Sequence, residues 1–379
     1  MPSIAWTKEF KGTGRRVLFG SDFVLLQLGP EDRWRHEGNY SFLDGEEGEP
    51  EVRCFALDGR PLWFRKDARL LAILPGDRVL ITESDEVLIV VDADGHVVTQ
   101  RKCPGRITHA AVDGDSLTLS AGRQAYLADC DLTIRHQLSW PGKGAFHPDR
   151  WIGDAFYWID GYQLMTCKKD GRAEPFCPSF RDAVLHAAKC FEPQVPSDSY
   201  LMAYVMDKVV TRGLPPEMWN LSNDPVRGLL FLTNPCGPHF ASCVDRAERR
   251  ARWCEVLSAG CCGGPFYCLP DGRYVTSSGC GDILSWLDAE GNVLARAELL
   301  PGEAGYGTTL HLLANGRCVV DGGPGMISYG PDTKRIWTLN ERFSMLAIHP
   351  AKTSAAGFYF PGGSIKQPVS TVLKVLTDL

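Results

Sequence analysis

The chain has 379 residues and a mass of 41.8 kDa, with 40 Lys plus Arg, 46 Asp plus Glu and a net charge of −6. This mild acidity argues against nucleic acid or an anionic membrane as the main partner, because both attract basic proteins. No apolar run approaches the ~20 residues that span a bilayer, and the N-terminus carries no signal-peptide pattern. We therefore expect a cytoplasmic protein that binds neither nucleic acid nor membrane, with its 14 cysteines held as reduced thiols.

One pattern recurs along the chain, and it consists of two apolar residues, an Asp, a short polar turn and a second apolar stretch. Clear copies are FALDGRPLW from Phe55, IVVDADGHVV from Ile89 and SWLDAEGNVLA from Ser285. The residue before the Asp, or its equivalent, marks each unit at Leu57, Val91, Ala128, Cys167, Met206, Val244, Leu287 and Tyr329. A period near 40 residues, with strands on both sides of an Asp/Gly turn, predicts four-stranded antiparallel blades.

This repeat resembles that of the β-propellers with PQQ-like or WD40-like repeats, over almost the whole chain. The resemblance implies an all-β protein, with residues 1–379 forming a single propeller domain. It implies no activity, because propellers serve as enzymes and as scaffolds. The markers and the C-terminal unit together number nine, but the unit at 180–214 is rich in proline and poor in strand signal. We therefore expect about eight blades.

The two ends of the chain predict how the propeller closes. SIAWTKEF near the N-terminus resembles RPLWFRKD and RIWTLNE, so Trp6 occupies the place of Trp63 and Trp337. The C-terminus provides three strands and then stops, so the N-terminal strand is expected to complete the last blade and to pair its exposed edge. The acidic stretch 29–50 is expected to be a surface loop inserted into the first blade.

The histidines follow the repeat. His109, His147 and His186 are 38 and 39 residues apart, and His311 and His349 are 38 apart. Four of these five lie 18 to 20 residues before a marker, and His349 precedes its turn by four residues, as His311 does. We call this shared position in the repeat, occupied by the five histidines, the histidine column. Random placement would put fewer than one histidine in it, so the alignment is not accidental.

Equivalent residues on the innermost strands of a propeller face one another around its axis. Converging imidazoles there would bind Fe, Cu, Zn or Mn. We therefore expect the metal ligands to be His109, His147, His186, His311 and His349. Tyr267 occupies the same column and is the candidate catalytic group, as a proton relay or hydrogen-bond donor. In geometry alone the pattern looks like the iron-holding histidines of the carotenoid-cleaving oxygenases. The alternative is a hydrogen-bonding residue retained by duplication.

Two functions remain open from the sequence. The first is a metal-dependent enzyme that performs redox or Lewis-acid chemistry on a small molecule or a peptide in the central channel. The second is a non-enzymatic scaffold that binds a protein partner on a propeller face. The chain contains no P-loop, G-x-S-x-G, H-E-x-x-H or G-x-G-x-x-G motif that would favour another reaction.

Overall fold

The structure is a computed structural model that describes most of the chain. The described residues are 2–29, 31–37, 40–47, 49–84, 86–139, 151–160, 163–168, 172–191, 220–233, 239–258, 264–277, 283–298, 309–313, 315–322, 325–340, 343, 345–349, 354–359 and 370–379.

The described chain contains 34 strands and one helix. The first fifteen strands are β1 (Ser3–Lys11), β2 (Thr13–Phe19), β3 (Phe23–Gly29), β4 (Glu31–Glu37), β5 (Tyr40–Glu47), β6 (Glu51–Ala56), β7 (Pro61–Lys66), β8 (Ala68–Leu74), β9 (Arg78–Glu83), β10 (Val87–Val91), β11 (Val97–Lys102), β12 (His109–Asp113), β13 (Ser116–Ala121), β14 (Gln124–Asp129) and β15 (Ile134–Ser139). The middle of the chain forms β16 (Trp151–Ile152), β17 (Ala155–Asp160), β18 (Gln163–Lys168), β19 (Ala173–Pro175), α1 (Phe180–Phe191), β20 (Asn220–Asp224), β21 (Leu229–Thr233), β22 (His239–Asp245), β23 (Arg250–Ser258), β24 (Tyr267–Cys268), β25 (Tyr274–Ser277), β26 (Ile283–Leu287), β27 (Val293–Glu298), β28 (Thr309–Leu312), β29 (Cys318–Gly322), β30 (Gly325–Tyr329) and β31 (Arg335–Leu339). The last three strands are β32 (Met345–Ile348), β33 (Ala355–Tyr359) and β34 (Ser370–Thr377).

These strands form eight four-stranded antiparallel sheets in the described chain, so the prediction of an all-β propeller of about eight blades is confirmed. The chain divides into two compact units. The first unit comprises 1–140, 144–149 and 343–379, and the second comprises 141–143 and 150–342. The first unit holds blade 1 (β2-β3-β6-β7), blade 2 (β8 to β11), blade 3 (β12 to β15) and blade 8 (β32-β33-β34-β1). The second unit holds blade 4 (β16 to β19), blade 5 (β20 to β23), blade 6 (β24 to β27) and blade 7 (β28 to β31). Within each blade the strands are called first to fourth in this order.

The N-terminal strand completes blade 8, as the sequence predicts. β1 pairs antiparallel with β34 from Ser3 opposite Thr377 to Lys11 opposite Ser370. The last blade thus takes its fourth strand from the opposite end of the chain, which joins the two termini through a ladder of backbone hydrogen bonds.

The core of each unit lies between consecutive blades. Successive side chains of a strand point to opposite faces of the sheet, and inner strands such as β3 and β22 are buried at consecutive positions. Each blade therefore buries residues on both of its faces. In the first unit, for example, Leu25 of blade 1 and Ile81 of blade 2 share one buried layer. In the second unit, Trp286 of blade 6 and Val320 of blade 7 do the same.

The repeated Asp forms the hairpin between the third and fourth strands. In blade 2, the Asp92 Oδ1 accepts hydrogen bonds from the backbone N–H groups of Asp94 (3.0 Å) and His96 (2.9 Å). Asp129 in blade 3 and Asp288 in blade 6 accept the equivalent bonds. This Asx turn explains why an Asp recurs at the marker in these blades.

A hydrogen bond from a tryptophan side chain connects consecutive blades within a unit. The indole Nε1 of a fourth-strand tryptophan donates to a backbone carbonyl in the third-to-fourth-strand hairpin of the next blade. The three observed pairs are Trp6 to Leu57 O (2.7 Å), Trp63 to Ala93 O (3.0 Å) and Trp253 to Ala289 O (3.3 Å). The expected equivalence of Trp6 and Trp63 therefore corresponds to a shared role in coupling neighbouring blades.

Three features differ from the sequence-based expectations or extend them. Residues 180–191 form helix α1 in the unit that we expected to be irregular, and 192–214 lie outside the described residues together with Met206. The stretch 29–50, which was expected to be a surface loop inserted into the first blade, contains the hairpin β4–β5 between β3 and β6 of that blade. No described helix is long and apolar enough to cross a membrane.

Candidate functional site

The structure places the predicted site residues on different kinds of element. His109 begins β12, His311 lies on β28 and Tyr267 begins β24, so these three are on first strands. His349 directly follows the first strand β32. His186 lies on helix α1, so the expectation that it projects from an innermost strand is wrong. His147 lies outside the described residues.

In the first unit, the two described histidines of the column have unlike surroundings. The imidazole of His349 is buried, and its Nε2 lies 3.1 Å from the backbone oxygen of Ser21 in the β2–β3 hairpin. The ring of Phe19 meets it edge-on at 5.5 Å. His109 is exposed, with its Nδ1 3.1 Å from the Thr108 Oγ1. His349 thus holds the first hairpin of blade 1 against blade 8, which is a structural role.

In the second unit, His311 is part of a buried polar row. Strand pairing places His311, Val319, Ser328 and Trp337 side by side across the four strands of blade 7. Asp321 lies on the same face, two residues along β29 from Val319. Within the described chain, four buried atoms on this face lack hydrogen-bond partners, namely His311 Nε2, Asp321 Oδ1, Ser328 Oγ and Trp337 Nε1.

Burial changes the pKa values of the two titratable side chains in this row, His311 and Asp321. It lowers the pKa of His311 to about 4, so the imidazole is neutral at physiological pH. It raises the pKa of Asp321 to about 7, so a substantial share of this carboxyl is protonated there. Asp321 was not among the residues predicted from the sequence. Its signal was an acidic residue that follows directly on the apolar run of β29, where polar groups are rare unless they are paired.

Tyr267 is half-buried on β24, and burial raises the pKa of its phenol. The hydroxyl therefore keeps its proton at neutral pH and can act as a hydrogen-bond donor. Proton relay by this group stays a prediction.

A buried carboxylate in the second unit, that of Asp224, has a structural role. Asp224 ends β20, and its Oδ2 accepts hydrogen bonds from the Tyr274 Oη (2.8 Å) and the Arg227 Nη1 (2.9 Å). Its Oδ1 accepts from the backbone N–H groups of Val226 and Arg227. Burial alone would raise the pKa of Asp224, but these hydrogen bonds outweigh it and lower the pKa. The Cys268 thiol is a fifth donor, 3.7 Å from Oδ2. A carboxylate with so many donors is a poor base, so this cluster ties blade 5 to blade 6.

Among the described residues, one group of three metal-binding side chains converges, and it is not the histidine column. Asp92, Asp94 and His96 offer ligand atoms within 4.8 Å of one another. They belong to the Asx turn of blade 2, and the matching position to His96 is Thr133 in blade 3 and Asn292 in blade 6. The same turn therefore forms with residues that bind metals poorly, which points to a turn-forming role.

Exposed apolar side chains mark a different surface. Seven of the eight large apolar side chains that are exposed in the described chain lie on fourth strands, and the eighth, Val226, lies in the β20–β21 hairpin. The seven are Ile4, Phe64, Val97, Val98, Val293, Leu294 and Ile336. Three of them are β-bulge residues at which the pairing with the third strand shifts, namely Val98, Leu294 and Ile336. No such pattern was predicted from the sequence.

These features define the class of protein as an eight-bladed β-propeller with polar clusters that couple its blades. No family model matches the chain, and no curated protein matches it. Among solved structures, it is similar to the β-propeller domain of Myceliophteria thermophila Cps50 (Swd1). The TM-score is 0.51 at 12% identity, over 82% of this chain and 95% of that chain. BamB from Moraxella catarrhalis matches with a TM-score of 0.43 at 11% identity, over 86% of this chain and 97% of that one. At such low identity, the likeness to the Swd1 domain shows the fold alone.

Proposed function

We propose that the protein is a scaffold that binds an acidic, partly apolar segment of another protein along the fourth strands of its first unit. The observation that carries this proposal is the concentration of exposed apolar side chains on fourth strands. Phe64 of β7 is 62% exposed, and Val97 and Val98 of β11 are 47% and 51% exposed. Large apolar groups in water on consecutive blades favour burial against a partner.

The charge of these strands supports an acidic partner. β1, β7, β11 and β15 together contain seven Lys or Arg residues and one Glu, in a chain whose net charge is −6. Lys66 and Lys102 are exposed at the ends of β7 and β11. Complementary charge would speed association and select among partners. Three of the four exposed apolar side chains in this unit, Ile4, Val97 and Val98, are aliphatic and offer no ring on which a base can stack, which favours a protein over a nucleic acid.

The backbone of a fourth strand also suits this role. In the described chain, β7 pairs with β6 alone and β11 with β10 alone, so each is a sheet edge. Edge strands present backbone donors and acceptors that an extended segment can pair with. An extended acidic and apolar segment would then gain main-chain hydrogen bonds, apolar contacts and charge pairing together.

Affinity capture from a lysate with the tag-free full chain coupled to a support tests this proposal. Phe64→Glu and Val98→Glu are expected to lose partners that the wild type retains. Val226→Glu is the matched control, because Val226 is 92% exposed but lies outside the fourth strands. Equal capture by the wild type and both fourth-strand variants would refute the proposal. So would a Val226→Glu protein that loses the same partners.

The metal-dependent enzyme stays a prediction beside this proposal, as does cytoplasmic location. The first-strand positions of His311 and Tyr267, both in the second unit, support a site on those strands. Elemental analysis of tag-free protein tests the prediction. About one equivalent of metal that disappears in His311→Ala would favour the enzyme, and metal content that is independent of His311 would oppose it.

A further inference from the structure

The helix of the second unit carries an exposed stripe of polar side chains. Phe180, Val184 and Ala187 are buried, which fixes one face of α1 against the blades. Asp182, His186 and Cys190 are exposed and follow one another at intervals of four residues. Side chains four residues apart lie one above the other on a helix, so these three form a single stripe.

Two members of this stripe have the geometry of a metal chelate. The His186 Nε2 and the Cys190 Sγ lie 3.6 Å apart. In a tetrahedral zinc site, with Zn–S of about 2.3 Å and Zn–N of about 2.0 Å, the two ligand atoms are about 3.5 Å apart. We propose that His186 and Cys190 form a two-ligand site for a zinc-like divalent cation on the exposed face of α1, with water completing its coordination.

The chemistry of the stripe agrees with this assignment. Imidazole nitrogen and thiolate sulfur are the ligands that zinc takes in proteins. Binding releases the thiol proton to solvent, since the thiolate is the ligand. The carboxylate of Asp182, one turn before His186, adds a negative charge that favours a cation. In this proposal His186 shares its metal ion with Cys190 and not with the other histidines of the column.

Other exposed histidines and cysteines provide matched controls. The thiol of Cys268 is exposed, but its neighbours are the Asp224 carboxylate (3.7 Å) and the Arg227 guanidinium (3.9 Å). His136 is exposed on β15 and does not belong to the histidine column. His136→Ala and Cys268→Ser each remove the same kind of group as the test variants without touching the stripe.

The experiment is a titration of the tag-free full chain with Co²⁺, followed by displacement with Zn²⁺. The wild type is expected to develop a thiolate-to-cobalt charge-transfer band in the near ultraviolet, which Zn²⁺ abolishes. Cys190→Ser is expected to lose the band, and His186→Ala to weaken Co²⁺ binding at least about tenfold. His136→Ala and Cys268→Ser are expected to match the wild type.

Three outcomes overturn the proposal. They are no band in the wild type, a band that survives in Cys190→Ser, and a His186→Ala protein that binds Co²⁺ as tightly as the wild type. Both side chains are exposed, so circular dichroism and the melting temperature should be unchanged in the variants. His186→Gln provides the same test with a side chain of higher helix propensity. The result is independent of the proposed scaffold function, because partner capture by the fourth strands does not involve α1.

Discussion

The indole of Trp63 contacts the β10–β11 hairpin of the next blade in two ways. Its Nε1 donates to the carbonyl oxygen of Ala93 (3.0 Å), and its ring covers Gly95, where an added Cβ would lie 2.6 Å from the ring. Gly95 also has a φ of +85°. Trp6 with Gly59, and Trp253 with Gly291, repeat this arrangement. The glycine of the repeat is thus required both by the turn conformation and by the tryptophan of the preceding blade.

The first prediction follows from this contact. Gly95→Ala combines the left-handed conformation with a clash against Trp63, so we expect a loss of about 3 kcal/mol in the free energy of unfolding. Gly76→Ala is the control, because Gly76 has a φ of +72° and open space around its Cα. It should lose only about 1 kcal/mol. Urea denaturation measures both, and equal losses would show that the Trp63 contact contributes nothing.

The second prediction concerns the bridge between blades 5 and 6. Tyr274→Phe removes one of the three side-chain donors to the buried Asp224 carboxylate, the other two being Arg227 and the Cys268 thiol. We expect a loss of about 1–3 kcal/mol in the free energy of unfolding, since an under-bonded buried carboxylate is costly. Tyr274→Phe combined with Asp224→Asn should lose less than the two single losses added together. Full additivity in this double-mutant cycle would mean that the two groups do not interact.

The third prediction is a pH dependence caused by Asp321. Its pKa is raised from 3.8 to about 7 in the folded protein. Between these values the unfolded chain ionises while the folded carboxyl keeps its proton, so stability falls as pH rises, by up to roughly 4 kcal/mol. Asp321→Asn lacks this loss. Its stability relative to the wild type should therefore increase from about pH 4 to about pH 7 and then level off.

Two histidines have the opposite effect on the pH dependence of stability over part of this range. Burial lowers the pKa of His311 to about 4 and that of His239 to about 3, so each makes the folded state more stable as pH rises towards their ordinary value of 6.5. Both are present in the wild type and in Asp321→Asn, so their effect cancels in the difference. Guanidinium denaturation at several pH values measures that difference, and a constant value would contradict the assignment.

The fourth prediction separates the two described histidines of the column in the first unit, His349 and His109. His349→Ala removes the contacts of a buried imidazole with Ser21 and Phe19, so a loss of about 1–3 kcal/mol in the free energy of unfolding is expected. His109→Ala removes an exposed side chain and should change it by less than about 0.5 kcal/mol. Thermal unfolding of the two variants provides the comparison. Equal losses in the two variants would indicate that both histidines have the same role, and would contradict roles that depend on their local packing.

The repeat could be predicted from the sequence because its signals are local. The Asp of the turn in blades 2, 3 and 6 bonds to N–H groups two and four residues later, as Asp92 does with Asp94 and His96. This motif indicated the period. The count of about eight blades also required setting aside the unit at 180–214, and the shared last blade was inferred from the strand patterns at the two ends of the chain. Helix α1 was not predicted although Phe180, Val184 and Ala187 follow helical spacing, because a single helix has no copy elsewhere in the chain to reinforce its pattern.

The sequence by itself thus determined the period, the hairpins and the pairing of β1 with β34, since these depend on residues within one repeat or at its edges. The tertiary structure alone decided what each member of the histidine column does. His349 bonds to Ser21 O, the buried Nε2 of His311 has no partner among the described residues, and His186 faces Cys190 on a helix. A residue's role depends on the groups that surround it, and those groups come from strands, hairpins and a helix whose placement the spacing of histidines does not specify.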